Sequence, residues 1–308
     1  MKIISLLPSA TELVYALGLG EDLSGVTFEC DYPAEARTKP VVSDTALPTG
    51  RPLTSSEIDA EVKERMETRQ PLYVLDTDLI RQVDPDLILT QDLCRVCAVP
   101  AGHVQEALDK LGSRAEVVSM DPKDLDGILD SFLEVGRATG TETRAKELVE
   151  SLRERIEEVK RRAARLPTIR TFCMEWLEPP FVGGHWIPEM VSLAAGENLL
   201  SEKGQRSRQV TWREVANASP EVVVFMPCGY YLAEAEEEAV RTYGAPEFRE
   251  TTACSSEMVF ATDASSYFSR PGPRIVDGLA ILAWAIHPDA FPEPPAGTIT
   301  RIPRLSGT

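Results

Sequence analysis

The sequence is poor in aromatics, in histidine and in positive charge. Phe, Trp and Tyr make up 6% of its 308 residues, three are His, and 32 Lys and Arg face 49 Asp and Glu, a formal charge of −17. A surface this acidic repels phosphate backbones, which excludes non-specific nucleic-acid binding. The longest apolar runs, such as Val222 to Met226, fall far short of the ~20 residues that span a bilayer. No Gly-x-Ser-x-Gly elbow, no Gly-x-x-x-x-Gly-Lys-Ser/Thr loop and no His-Glu-x-x-His occurs. Glu175 and Glu178 have no nucleophile to serve, so the expectation is a binder and not an enzyme. Met1-Lys2 run directly into Ile3-Ile4-Ser5-Leu6-Leu7, without the apolar core and small-residue cleavage site of a secretory signal. That predicts a cytoplasmic chain whose six cysteines are thiols or metal ligands.

What is present points to an α/β protein. Hydrophobic residues at 43% and charged residues at 26% suit a globular chain, and the length suits about two domains. Residues 2–6, Leu23 to Phe28, Leu87–Thr90 and Val117–Ser119 read as short buried strands. Helices alternate with them, the first with Ser9-x-x-Glu12 as its capping box. Residues 30–53 read as loop. From Lys123 the pattern is helical. Thr141–Arg165 forms one charged helix, polar around most of its surface as a helix bridging two domains is. A second α/β series follows, with strands at Ile169–Met174, Val222–Met226 and Val259–Thr262. The expected division is an N-terminal lobe over residues 1–122, a bridging helical segment over 123–166, a C-terminal lobe over 167–290 and an extended tail over 291–308.

The halves look related. Val83-Asp84-Pro85-Asp86-Leu87-Ile88-Leu89 matches Ala218-Ser219-Pro220-Glu221-Val222-Val223-Val224, and Leu17–Leu23 matches Leu193–Leu199. Parallel sheets bind ligands beyond the carboxyl ends of their strands, so two such lobes create a cleft lined by post-strand loops. Those loops are residues 28–33, 91–97, 175–181, 183–186, 227–230 and 265–274. They hold Tyr32, Trp176, Phe181, Trp186, Tyr230, Tyr267 and Phe268, a set that suits a large, flat, partly apolar ligand.

Ile4-Ser5-Leu6-Leu7-Pro8-Ser9-Ala10-Thr11-Glu12, Asp84-Pro85-Asp86-Leu87-Ile88, the bridging helix and Pro271-Gly272-Pro273-Arg274 resemble the cobalamin/iron-siderophore substrate-binding proteins. These are the helix-hinged, class III periplasmic-binding-protein class of ABC importers. The likeness runs from residue 1 to about 290. It is closest to a cobalamin-binding-like branch, through Glu29-Cys30-Asp31-Tyr32-Pro33 and Glu175-Trp176. The resemblance implies two Rossmann-like lobes with parallel sheets, one rigid bridging helix and a corrinoid held between the lobes. It also implies an importer permease as partner, whereas a cytoplasmic member would store, deliver or sense the corrinoid.

The candidate ligand contacts are Ser9, Glu29, Asp31, Tyr32, Glu175, Trp176, Phe181, His185, Trp186, Tyr230, Tyr267, Phe268 and Arg270. Trp176 and Trp186 would stack on or pack against a macrocycle. His185 offers an imidazole that cobalt or iron accepts. Ser9 would turn helix N–H groups to the ligand, and Arg270 would meet a carboxamide or phosphate. Cys94-x-x-Cys97, with Cys30 and Cys228 from other loops, leaves three readings open: Zn or an iron–sulfur cluster, a redox dithiol, or packed thiols. Cys173 and Cys254 read as structural. The rivals to a corrinoid binder are a metal or cluster protein built on those four thiols and an iron-chelate or haem binder on the same fold.

Overall fold

The computed structural model describes residues 1–51, 53–93 and 99–304. The fold is α/β, with two sheets. The chain divides into two compact units, Met1–Pro122 with Asp126–Ser151, and Lys123–Leu125 with Leu152–Thr308. The helix Glu142–Ala163 begins in the first unit and ends in the second.

Among the described residues the first unit's sheet comprises β1 (Ile3–Ser5), β2 (Leu23–Thr27), β3 (Val41–Thr45), β4 (Tyr73–Leu75), β5 (Leu87–Thr90) and β6 (Glu116–Ser119), in the order β4-β3-β2-β1-β5-β6. All neighbours are parallel except β3 and β4. β1 and β5 are buried along their whole length, as strands with helices on both faces must be. Ile4, Leu6, Val42, Ile88, Val104 and Leu108 join in its apolar core. The second unit's sheet comprises β7 (Ile169–Trp176), β8 (Phe181–Val182), β9 (Gly196–Asn198), β10 (Arg208–Gln209), β11 (Val222–Phe225), β12 (Val259–Thr262) and β13 (Ile299–Arg301). Its order is β10-β8-β7-β11-β12-β13, with β9 also on β7. Its core gathers Phe172, Met174, Phe225, Tyr243 and Phe248, the last edge-on to Phe225, Tyr243 and Trp212.

Two local expectations are corrected. The first helix runs Pro8–Ala16 with Leu7 as its N-cap and no side-chain cap. Pro8 starts it because its fixed φ already suits a first turn, and Ser9 lies inside that turn, buried. Residues 30–53 hold β3, which pairs with β2 on one side and β4 on the other. Val41-Val42-Ser43-Asp44-Thr45 is too short and too polar to announce a strand; its neighbours make it one. The closing segment supplies β13, antiparallel to β12.

The internal likeness extends to atomic detail. β2-β1-β5-β6 and β9-β7-β11-β12 have the same order and direction. Asp84 and Ser219, at the turns before β5 and β11, both take left-handed φ, 51° and 47°. The backbone N–H of Lys2 donates to Asp86 Oδ2 at 2.7 Å, and that of Arg170 to Glu221 Oε2 at 3.0 Å. Lys2 Nζ donates to the Val83 carbonyl at 2.8 Å, while the Arg170 guanidinium reaches the Ala218 carbonyl at 2.6 Å. Each basic–acidic pair ties the start of one central strand to the turn leading into the next. Asp86→Ala and Glu221→Ala are each expected to cost about 1–2 kcal/mol. The larger loss should fall on the less exposed Glu221. Denaturant midpoints check this, and the amide variants, which keep an acceptor oxygen, should recover part of the loss.

Candidate functional site

In the first unit the loops beyond β1 and β2 are joined by small polar groups. Ser5 Oγ donates to the Leu7 carbonyl at 2.9 Å and accepts from Thr11 Oγ1 at 2.8 Å, and Thr11 Oγ1 lies 3.0 Å from Cys30 Sγ. Ser9 and Cys30 are buried, and Asp31 pairs with Arg37 at 3.7 Å. The exposed surface of this loop is aromatic, with Phe28 41% and Tyr32 48% exposed. Glu29 is half-buried. Beyond β5, the buried Gln91 keeps its carbonyl oxygen without a hydrogen-bond partner among the described residues.

In the second unit the end of β7 and the loops beyond β11 and β12 hold one another. Trp176 meets Tyr230 edge-on with ring centres 5.6 Å apart. The Cys228 N–H donates to the Glu175 carbonyl at 2.9 Å and the Ser265 N–H to that of Tyr230 at 2.9 Å. Burial pushes the Tyr230 hydroxyl up to about 12, so it titrates far above neutrality. Phe181 is half-buried in β8. Tyr267 lies under the Arg274 guanidinium, 5.6 Å from the ring centre.

The Glu175 carboxyl accepts from Ser207 Oγ at 2.7 Å and from the Gly184 N–H at 3.1 Å. Burial raises its pKa above the ordinary 4.5 and these two hydrogen bonds oppose the shift. His185 follows with a left-handed φ of 53°. Its Nε2 is buried without a hydrogen-bond partner among the described residues. Burial first, and then the Arg206 charge, lower its pKa below 6.5, so the ring is neutral near pH 7.

Three of the expected contacts are buried in the second unit. Trp186 is 5% and Phe268 2% exposed, and the Trp186 indole N–H donates to the Phe268 carbonyl at 2.9 Å. Both rings are buried within the unit, where their apolar area is removed from water. Arg270 is buried. The residues that sequence reasoning passed over are Phe28, Tyr231 (39% exposed), Gln91, Ser207 and Arg206. Phe28 and Tyr231 adjoin chosen residues in loops already singled out. Ser207 and Arg206 lie in a polar stretch with no pattern of its own.

The four-thiol metal reading has no support. Cys94 and Cys97 lie outside the described residues. Cys30 is buried beside Thr11, and Cys228 is half-buried on the loop after β11. Among the described residues no group of three or more His, Cys, Asp or Glu is placed to hold a metal ion. Cys173 and Cys254 are core thiols, Cys254 donating to the Phe248 carbonyl at 3.2 Å.

Two α/β units, each with aromatic side chains beyond the carboxyl ends of its strands, are the frame in which the chain meets its relatives, which are substrate-binding proteins and not enzymes. Residues 3–265 match the family described as periplasmic binding protein, and the chain belongs to that family. It is 25% identical over 278 residues to the vitamin B12-binding protein of Yersinia pestis (strain Pestoides F), covering 89% of this chain and 82% of the relative. The solved periplasmic vitamin B12 binding protein of Vibrio cholerae superposes with a TM-score of 0.67 at 23% identity, over 92% of this chain and 96% of that one. A periplasmic heme binding protein from Pseudomonas aeruginosa superposes with a TM-score of 0.69 at 20% identity, over 94% of each chain.

The cytoplasmic expectation is overturned. The family and these solved neighbours are periplasmic, which points to a periplasmic or extracellular location. The expectation rested on the first residues, and Ile3–Ser5 is the fully buried strand β1. Its apolar character reports on the sheet and not on the compartment. Among the described residues no helix is long and apolar enough to cross a membrane.

Proposed function

We propose that this protein captures a corrinoid, cobalamin or a close relative, without covalent change and hands it to an ABC importer. The observation that carries this reading is the likeness to vitamin B12-binding proteins over 89% of the chain. The loop chemistry supports it. A corrinoid presents apolar faces and a rim of amide groups, and its cobalt already has ligands of its own. It therefore needs aromatic edges and polar backbone groups more than an open metal-binding side chain. Phe28, Tyr32, Trp176, Tyr230 and Tyr231 supply the edges. Gln91 and the backbone near Ser9 and Cys228 supply polar partners, with Glu29, Asp31, Phe181, His185, Tyr267 and Arg270 completing the set.

Titration of the purified chain with cyanocobalamin is expected to quench tryptophan fluorescence and saturate at one equivalent, with Kd at micromolar or below. Trp176→Ala should weaken binding about tenfold, in line with the loss of one buried aromatic contact. Saturation by haemin with no response to cyanocobalamin would replace the corrinoid with haem as the ligand.

A further inference from the structure

Residues 201–209 form a strap across the Gly183-Gly184-His185 turn, fastened along its whole length. Ser201 Oγ donates to the Gly183 carbonyl at 2.6 Å. The Gly204 N–H donates to the His185 carbonyl at 2.9 Å, and the His185 N–H to the Gln205 carbonyl at 2.6 Å. Ser207 Oγ is held by the Glu175 carboxyl, and the strap then enters β10, which pairs with β8. The approach is close enough that a Cβ on Gly184 would lie 2.3 Å from the Ser207 nitrogen.

The strap carries three cations, and two are committed. Lys203 lies 2.7 Å from Glu189 and 3.5 Å from Asp124, and Arg208 lies 3.2 Å from Glu214. Arg206 is exposed and has no ion-pair partner among the described residues, although the chain holds 49 acidic residues. Its charge acts on His185, beside the loops assigned to the ligand.

We propose that this strap is a specificity element and that Arg206 receives an acidic group of the bound ligand. The inference rests on the function proposed above and sharpens it. It selects a corrinoid that carries the phosphodiester of its nucleotide loop over one that lacks it. A chain with a net charge of −17 repels anionic ligands, so an acidic group needs a cation fixed in place to meet it. A guanidinium suits both phosphate and carboxylate because two of its N–H groups can donate side by side. Fastening the strap fixes the backbone that carries Arg206, so that binding orders its side chain and not the segment. The propionates of haem have the same anionic chemistry, so the test separates the two sources.

The experiment titrates the full chain, Arg206→Gln and Arg206→Lys with cyanocobalamin, with dicyanocobinamide, which has no phosphodiester, and with haemin. Arg206→Gln is expected to weaken cyanocobalamin about tenfold, the scale of one charge-assisted contact, and to leave dicyanocobinamide within about twofold. Arg206→Lys should recover part of the loss, and added salt should shrink the difference. Equal weakening of both corrinoids, or of neither, overturns the proposal. If only haemin binds and Arg206→Gln weakens it about tenfold, the corrinoid reading falls and the role of Arg206 stands. If only haemin binds and Arg206→Gln leaves it unchanged, both fall, as they do if none of the three binds.

Discussion

Trp186→Ala is expected to destabilise the second unit by about 3–5 kcal/mol, the cost of emptying a buried tryptophan site. The ring is 5% exposed, and its N–H is the donor to the Phe268 carbonyl. The substitution therefore opens a cavity and also leaves a buried acceptor unsatisfied. Against a total stability of about 5–15 kcal/mol for a folded protein, that is a large share. Trp186→Phe keeps most of the volume and loses only the hydrogen bond, so about 1–3 kcal/mol is expected. The readout is the unfolding midpoint beside ligand affinity. Collapse of affinity at unchanged stability would show that the ring stacks on the ligand instead.

Gly278→Ala is the second large effect. A Cβ at this position would lie 2.1 Å from the carbonyl oxygen of Tyr267. That oxygen belongs to the backbone of the short helix Ala264–Tyr267, packed against the helix Ile275–Ile286 that contains Gly278. A backbone atom cannot rotate away, so one of the two helices must shift. The expected cost is at the upper end of the 1–3 kcal/mol range for overpacking, about 3 kcal/mol. Movement of the loop from Tyr267 to Arg270 should also weaken ligand binding. Gly102→Ala is the control. It lies in the helix Ala101–Leu111 with nothing within 4 Å of a new Cβ, and should stabilise by about 0.5–1 kcal/mol through helix propensity alone. Thermal unfolding of the two variants side by side checks the sign of each change. A neutral Gly278→Ala would sink the close-approach argument.

The alternation of short apolar strands with helices made both α/β series legible, and the Pro85 and Pro220 segments announced two versions of one turn. Their deeper equivalence became visible only in three dimensions. Lys2 with Asp86 and Arg170 with Glu221 do the same work with different side chains, so a search for identical residues passes over them. The peripheral strands β3, β8, β10 and β13, of which β10 and β13 are sheet edges, were not announced for a similar reason. Each is short, and extended backbone toward the rim of a sheet is stabilised by its neighbours more than by its own residues. The loops holding the candidate contacts were legible because aromatics are scarce in this chain and gather there. Which aromatics face water was not. Trp176 and Trp186 look alike as letters, yet one is half-buried at the end of β7 and the other is buried in the interior.

The sequence by itself determined the α/β class, the duplicated strand–turn pattern and the family, because those depend on hydrophobic spacing and on contiguous motifs. It did not determine burial within the loops, the start of the first helix at Pro8, or the strap that leaves Arg206 without an ion partner among the described residues. Those depend on which distant groups come within hydrogen-bonding distance. Glu175 shows the difference: in sequence it is one of many acidic residues. In the structure, burial raises its pKa and its hydrogen bonds to Ser207 and Gly184 hold a remote loop in place.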